Sequence, residues 1–295
     1  MTKAIHRIIT TLALIVLTQA ALWAQSGITK YVRYSQGGNT SYGILDGQTV
    51  RELDGDFLYG GSPTGKTVPL PSVRLEIPLD PIKISKVLGV ALNTDMPEGP
   101  PLHVRHPRFF AKMPTSLNRH EGGVELPPEA MNLNFEGELV IIIGKKGRHI
   151  SVDDAEDHIF GYSIGNDFSE NTWYKELAQL KEPTRLISKG TDTWACLGPV
   201  IAKGVDWRDL DIEVRLNGET VAKGTSKYMR NDVRELVSYI SRYMTLLPGD
   251  AIYVGTVAPP VLPGKRHEMQ VGDVLEVEIE DIGLLRNKII PMDVP

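Results

Sequence analysis

The sequence holds a single cysteine, Cys196, so no disulfide can close within it. Flanked by Trp194-Ala195 and Leu197-Gly198-Pro199, that cysteine reads as a small buried apolar residue rather than a catalytic thiol. Dense Lys/Arg tracts are missing, and the formal net charge is −5; both argue against nucleic acid as the main partner. Internal repeats and low-complexity tracts are also missing. Long hydrophobic runs are confined to the N-terminus, where Lys3 and Arg7 precede Ile8 to Leu17 and Ala20-Ala21-Leu22-Trp23-Ala24 supplies small residues for cleavage. This pattern predicts a secretory signal over residues 1–24, hence an exported protein, periplasmic or secreted. The run is broken by Thr10, Thr11, Thr18 and Gln19 and is short of the ~20 apolar residues of a bilayer span, so no stable membrane insertion is expected once it is removed. What remains has an ordinary globular balance, 41% hydrophobic and 23% charged over the whole chain, with ample length for a sizeable core.

Three acidic residues carry most of the chemical information. Phe135-Glu136-Gly137-Glu138-Leu139 opens an apolar run, and Asn166-Asp167-Phe168-Ser169 follows later. In a β-strand side chains alternate between faces, so Glu136 and Glu138 project from the same one. Two neighbouring carboxylates repel unless a positive group sits between them, and a hard divalent cation does that, with Asp167 as a third oxygen donor. Three carboxylates on one side of a Mg²⁺- or Mn²⁺-sized ion leave about three octahedral positions open, the layout of a catalytic rather than a closed structural site. Taken alone, the Glu pair suits a solvent-facing strand edge better than a metal site.

The pattern along the chain is strand-dominated. Tyr31 to Tyr34, Tyr42 to Leu45 and Thr49 to Leu53 read as short strands, with Asp46-Gly47 as a hairpin turn. Gly60 to Gly65 reads as a loop and Pro69 to Pro81 as a connection, which sets off a small β-rich N-terminal domain at residues 27–80. In the larger domain, residues 85–295, strands are expected over Glu138–Ile143, Ile212–Leu216, Ala251–Val257 and Val274–Ile279. A helix from Asp232 to Met244, capped by Asn231, would place Val233, Leu236, Val237, Ile240 and Met244 on one face. Strands outnumber helices without alternating with them. The fold class is therefore mainly β with some α: a mixed β-sandwich roll rather than a doubly wound sheet.

The ordered set of these motifs resembles the fumarylacetoacetate hydrolase superfamily. It comprises Phe135 to Lys145, Phe160-Gly161-Tyr162, Asn166-Asp167-Phe168-Ser169, Lys189-Gly190-Thr191-Asp192-Thr193, Leu197-Gly198-Pro199, Asn217-Gly218-Glu219, Pro248-Gly249-Asp250 and Gly255-Thr256. The resemblance implies a β-rich catalytic roll, a homodimer, and Mg²⁺ or Mn²⁺ held by Glu136, Glu138 and Asp167. It implies an active-site lysine at Lys189 and a substrate-contacting threonine at Thr256, although a surface lysine and a plain turn residue remain open readings of the two. Lys112, in Phe109-Phe110-Ala111-Lys112, matches a recurrent lysine, for which packing, an ion pair and substrate contact are all open. The implied substrate is a small oxo acid, and the expected activity is metal-dependent hydrolysis of a C–C bond in a β-diketo or acylpyruvate-type acid. An oxo-acid decarboxylase or tautomerase on the same site is the alternative, and an exported metal- and carboxylate-binding protein without turnover is a third.

The chain departs from the family at the substrate-reading end. Counting from Asn93, the His and Glu of the family's hydrolytic lid fall on Pro97 and Pro100, which removes the base and disfavours a helical lid. His103 or His106, oriented by Glu98, is the available substitute, although an unpartnered loop histidine is more often plain surface. Asn171 stands where the resemblance calls for an arginine; Tyr174 and Ala222 stand in place of glutamines. These losses shift weight toward the lyase and isomerase readings, because an activated water matters less to them.

Overall fold

A computed structural model describes residues 27–95, 106–173, 175, 185–256 and 261–293, so the expected signal over residues 1–24 and most of the stretch aligned with the family's lid lie outside the described residues. Among the described residues no helix is long and apolar enough to cross a membrane.

The centre of the molecule is the strand Gly137–Ile143, whose seven residues are all buried. It pairs antiparallel with Ile159–Asp167 on one side and Ala251–Tyr253 on the other. Because it is covered on both faces, it reads as a continuous apolar run rather than an alternation. Leu139, Ile141 and Ile143 enter one core cluster with Val214, Leu275, Val277 and Leu285 of a second, five-stranded sheet. Val140 and Ile142 enter another cluster with Leu197, Ile201 and Tyr253. Gly137 shows how closely the two sheets approach at the carboxylate end: a Cβ there would lie 2.8 Å from Val214 Cγ2. A strand interior normally disfavours glycine, and here the close approach requires it.

The N-terminal strands fall where the sequence predicts them, at Thr29–Gln36, Asn39–Asp46 and Thr49–Leu53. They extend the central sheet rather than stand apart from it. Tyr31 pairs with Ile201 of the strand Ala195–Lys203, which in turn pairs with Ile159–Asp167. Tyr31, Phe57 and Phe160 cluster across this junction, with ring centroids 5.0–5.4 Å apart.

Several local expectations are corrected. Pro63–Pro69, read as part of a loop and a connection, is a strand paired with Thr49–Leu53. It is the outermost strand of the sheet, where the missing amide protons of its terminal prolines are tolerated. The strand from Ala251 ends at Tyr253. The helix spans Val233–Ser241, and its cap is Asp232, which accepts from the amides of Arg234 (2.8 Å) and Glu235 (3.0 Å). Glu235 returns a bond to the Asp232 amide at 2.9 Å, completing a capping box. Val233, Leu236, Val237 and Ile240 are buried as expected, whereas Met244 lies past the helix end and is 45% exposed. Asn231 is not the cap because its amide and side chain both donate to Asn93 Oδ1, at 3.0 and 2.9 Å.

Candidate metal centre

Pairing between the two central strands brings the acidic residues together. Glu138 stands opposite Gly165, and the ladder runs on past the strand end, where the Asp167 amide donates to Glu136 O at 2.9 Å. The Glu136 amide donates to Asn166 Oδ1 at 3.0 Å, which fixes the turn into the strand. One ligand atom from each of Glu136, Glu138 and Asp167 lies within 4.8 Å of the others. Glu138 and Asp167 are buried, while the Glu136 side chain is 28% exposed, so the cluster opens toward solvent on the Glu136 side.

Two ammonium groups reach into the cluster. Lys189, from the one-turn helix Leu186–Gly190, bonds Asp167 Oδ2 at 2.6 Å and also Glu136 Oε2. Lys112 bonds the other Asp167 oxygen and is fully buried. Burial alone would raise the Asp167 pKa, but Lys112 and then Lys189 hold it below its ordinary value. Lys189 is likewise held above its ordinary value: burial opposes its charge, and Asp167 and Glu136 outweigh burial. Glu138 behaves in the opposite way. Burial, followed by the negative charges of Asp167 and Glu136, pushes its pKa well up, against Lys189 and a 2.7 Å bond from the Gly255 amide.

With all three carboxylates ionised, two ammonium groups leave one negative charge uncompensated, that of Glu138, and the raised pKa of Glu138 reflects that missing partner. An all-oxygen donor set with that excess fits a hard divalent cation such as Mg²⁺ or Mn²⁺. Ser169 Oγ donates to Glu136 Oε2 at 3.3 Å and helps to orient this partly exposed carboxylate.

Of the residues singled out from sequence, Glu136, Glu138, Asp167 and Lys189 are brought together. Thr256 stands one residue beyond the backbone amide that reaches the cluster, that of Gly255. Gly255 (φ 109°) turns its amide onto Glu138, and Thr256 O accepts from Thr94 Oγ1 at 2.5 Å. Asn93 supports this turn by donating to Val254 O at 2.8 Å. His106 is exposed and stacks on Tyr239, with centroids 5.8 Å apart. His103, Glu98, Pro97, Pro100 and Tyr174 lie outside the described residues. Asn171 donates to Asn134 Oδ1, and Ala222 is buried core.

Lys112 was legible as a motif match but not as a partner of Asp167, because nothing local announces that a strand end 55 residues earlier in the chain will reach that carboxylate. Phe110 was not singled out at all. Its ring lies under Lys189 Nζ at 4.9 Å and also faces the Arg185 guanidinium at 5.5 Å. The ring crosses to its strand partner Gly89, where a Cβ would sit 2.2 Å from Phe110 Cζ. Phe110→Leu is expected to lower metal-dependent turnover by about 3- to 10-fold, with Phe110→Tyr close to wild type. Steady-state assays of both variants check this, and equal losses would remove the cation–π role.

A family model described as fumarylacetoacetate (FAA) hydrolase C-terminal matches residues 87–290. The chain belongs to the fumarylacetoacetate hydrolase family. A second model, Rv2993c-like N-terminal, matches residues 29–78. This family member is 33% identical over 247 residues to oxaloacetate tautomerase YisK of Bacillus subtilis, covering 80% of this chain and 76% of that protein. Its fold is similar to the crystal structure of 2-hydroxyhepta-2,4-diene-1,7-dioate isomerase from Mycobacterium marinum, with a TM-score of 0.79, 31% identity and coverage of 90% and 100% of the two chains. It is similar as well to a fumarylacetoacetate hydrolase from Exiguobacterium antarcticum, with a TM-score of 0.78, 29% identity and coverage of 90% and 100%. The family fold and the mainly β class expected from sequence are thus both met.

Proposed function

We propose that this protein is a divalent-metal-dependent tautomerase or isomerase of a small 2-oxo acid. The observation that carries the reading is the character of the groups around the carboxylates: two ammonium groups reach them, and among the described residues no histidine is hydrogen-bonded to them. Moving a proton between carbon and oxygen of a 2-oxo acid needs charge stabilisation at the enolate and a group or water that carries the proton, whereas hydrolysis needs in addition a base that turns water into a nucleophile. Mg²⁺ or Mn²⁺ held by Glu136, Glu138 and Asp167 would supply Lewis acidity toward the carboxylate and keto oxygens of the substrate.

Lys189 is suited to donate rather than to accept. Its raised pKa keeps it an ammonium at neutral pH, next to the open side of the cluster, where an enolate oxygen gains from a positive donor. The names of the tautomerase and isomerase relatives support the same chemistry. Hydrolysis of a C–C bond, the activity first expected from sequence, stays the second reading and is favoured by the similarity to the Exiguobacterium antarcticum hydrolase.

Side-by-side assays with Mg²⁺ or Mn²⁺ test the two. One follows ketonisation of oxaloacetate enol and the other cleavage of acetylpyruvate, with Glu138→Ala as the background from free metal. Faster enol decay by the wild type alone, with acetylpyruvate intact, is expected. Mutant-sensitive cleavage of acetylpyruvate would instead establish the hydrolase. We further propose export, on the N-terminal pattern from Lys3 to Ala24, and a homodimer, on the family resemblance. N-terminal sequencing of secreted material and light scattering check these.

A further inference from the structure

Two cations share one aromatic ring beside the carboxylate cluster. Phe110 lies on the strand Arg108–Lys112, and its ring is laid across the strand partner Gly89: a Cβ there would meet Cζ, Cε2 and Cε1 at 2.2, 2.6 and 2.9 Å. Backbone thereby closes one face of the ring. The turn Leu186–Gly190 packs against the same strand and brings two positive groups to the ring, Lys189 Nζ at 4.9 Å from its centroid and the Arg185 guanidinium at 5.5 Å. The two residues stand one helical turn apart, the Lys189 amide donating to Arg185 O at 3.0 Å, so their side chains run side by side.

The two are not equivalent. Lys189 is buried, and its ammonium already bonds Glu136 Oε2 and Asp167 Oδ2, which leaves one of its three donors for a ligand. Lys112 is wholly buried against Asp167. Arg185 is only half-buried and is the more open of the two groups on the ring. Its guanidinium holds its charge at neutral pH, and its planar fork meets a carboxylate with two parallel bonds. The charge balance leaves a place for it. With Glu136, Glu138 and Asp167 ionised, two ammonium groups and one divalent cation bring the cluster to one net positive charge, which a single ligand carboxylate neutralises. A second carboxylate needs a further cation, because a desolvated carboxylate without a partner is costly.

We infer that Arg185 is a specificity-determining residue that binds a second carboxylate of the substrate, so that the site selects a 2-oxo diacid over a 2-oxo monoacid. The inference rests on the oxo-acid reading above and adds the distal contact to it. The chelating end of the substrate lies at Glu136, Glu138 and Asp167, and Lys189 meets the oxygen beside it. The Phe110 ring lines the path from there to the guanidinium and suits the carbon chain that joins the two ends.

The test uses the full protein with Mg²⁺ and three ligands that do not turn over. Oxalate spends both carboxylates on the metal. Lactate and malate share one 2-hydroxy acid chelate, and only malate carries a second carboxylate beyond it. Calorimetric titration is expected to show wild type binding malate about 10- to 100-fold more tightly than lactate, the range of a charge-assisted hydrogen bond. Arg185→Gln should bring the two ligands within about 2-fold of each other, with oxalate affinity as in wild type. Arg185→Lys, which keeps the charge without the fork, gives the same comparison where Arg185→Gln does not fold, and should weaken the preference by about 3-fold or more. Equal affinities for malate and lactate in the wild type overturn the inference and leave the oxo-acid reading in place, as does a malate preference that survives substitution. An equal loss of oxalate affinity in the variants also overturns it, because Arg185 would then act on the metal end. Failure of the wild type to bind oxalate removes the oxo-acid reading and the Arg185 contact with it.

Discussion

Replacing Glu138 with glutamine is expected to abolish tight Mn²⁺ binding and to lower metal-dependent turnover by about 10²- to 10³-fold, while leaving the metal-free fold as stable as wild type or more so. Glu138 is buried, and among the described residues no lysine bonds it and its one hydrogen bond is from the Gly255 amide, which a glutamine carbonyl would also accept. Burial and the charges of Asp167 and Glu136 raise its pKa from an ordinary 4.5. A carboxyl with a raised folded-state pKa contributes stability that is fully present below the unfolded-state pKa and lost as pH rises through the folded-state value. The metal-free wild type should accordingly lose stability as pH climbs past the ordinary glutamate range, and Glu138→Gln should be flat there. Asp167, with its lowered pKa, acts with the opposite sign and in a lower window: its contribution is present above an ordinary 3.8 and lost as pH falls. Mn²⁺ should restore wild-type stability on the alkaline side and do nothing for the variant, since ligation requires the ionised carboxylate. Thermal melts with and without Mn²⁺ across pH, with manganese titrations followed by electron paramagnetic resonance, decide it. Wild-type manganese affinity in Glu138→Gln would falsify the assignment of this triad as the metal centre.

What was legible beforehand follows the range of the signals involved. Strand alternation and the Val/Ile run after Glu138 are local, and they placed Tyr31 to Tyr34 within the strand Thr29–Gln36, and Thr49–Leu53, Glu138 to Ile143 and Val274–Ile279 correctly. The triad was legible because a period of two within one strand sets Glu136 beside Glu138, and the motif order added Asp167. The errors came where one residue type had two physical uses. Asn231 and Asp232 both suit a helix cap, and only the long-range demand of Asn93 decides between them. Prolines at Pro63 and Pro69 read as breakers, yet they are acceptable on the outermost strand, whose position in the sheet the sequence does not announce. The second ammonium at Asp167 and the Phe110 ring with its two cations depend on pairing between Val87–Ala91 and Arg108–Lys112 and on a one-turn helix. Neither of these has a periodic signature long enough to read.

Lys112→Met is the substitution expected to harm the fold most. The Lys112 side chain is wholly buried and bonded to one oxygen of Asp167, whose other oxygen is held by Lys189. Burial holds the Lys112 pKa below its ordinary value, and Asp167 offsets only part of that shift. Methionine fills nearly the same volume, so cavity effects are small and the change isolates the loss of charge. Removing one member of a buried pair typically destabilises by about 3–5 kcal/mol, and Lys189, still bonded to Asp167, should hold the loss to the lower part of that range. For a protein of this size the melting temperature should fall by about 10 °C. Three carboxylates would then face a single ammonium, so a divalent cation should bind at least as well as in wild type and recover part of the lost stability. That response separates the two substitutions: Mn²⁺ should partly rescue Lys112→Met and leave Glu138→Gln unmoved. A Lys112→Met protein as stable as wild type without metal would mean that the buried lysine is already neutral. The net charge of the cluster, and the argument that it draws a divalent cation to Glu138, would then need to be rebuilt without that ammonium.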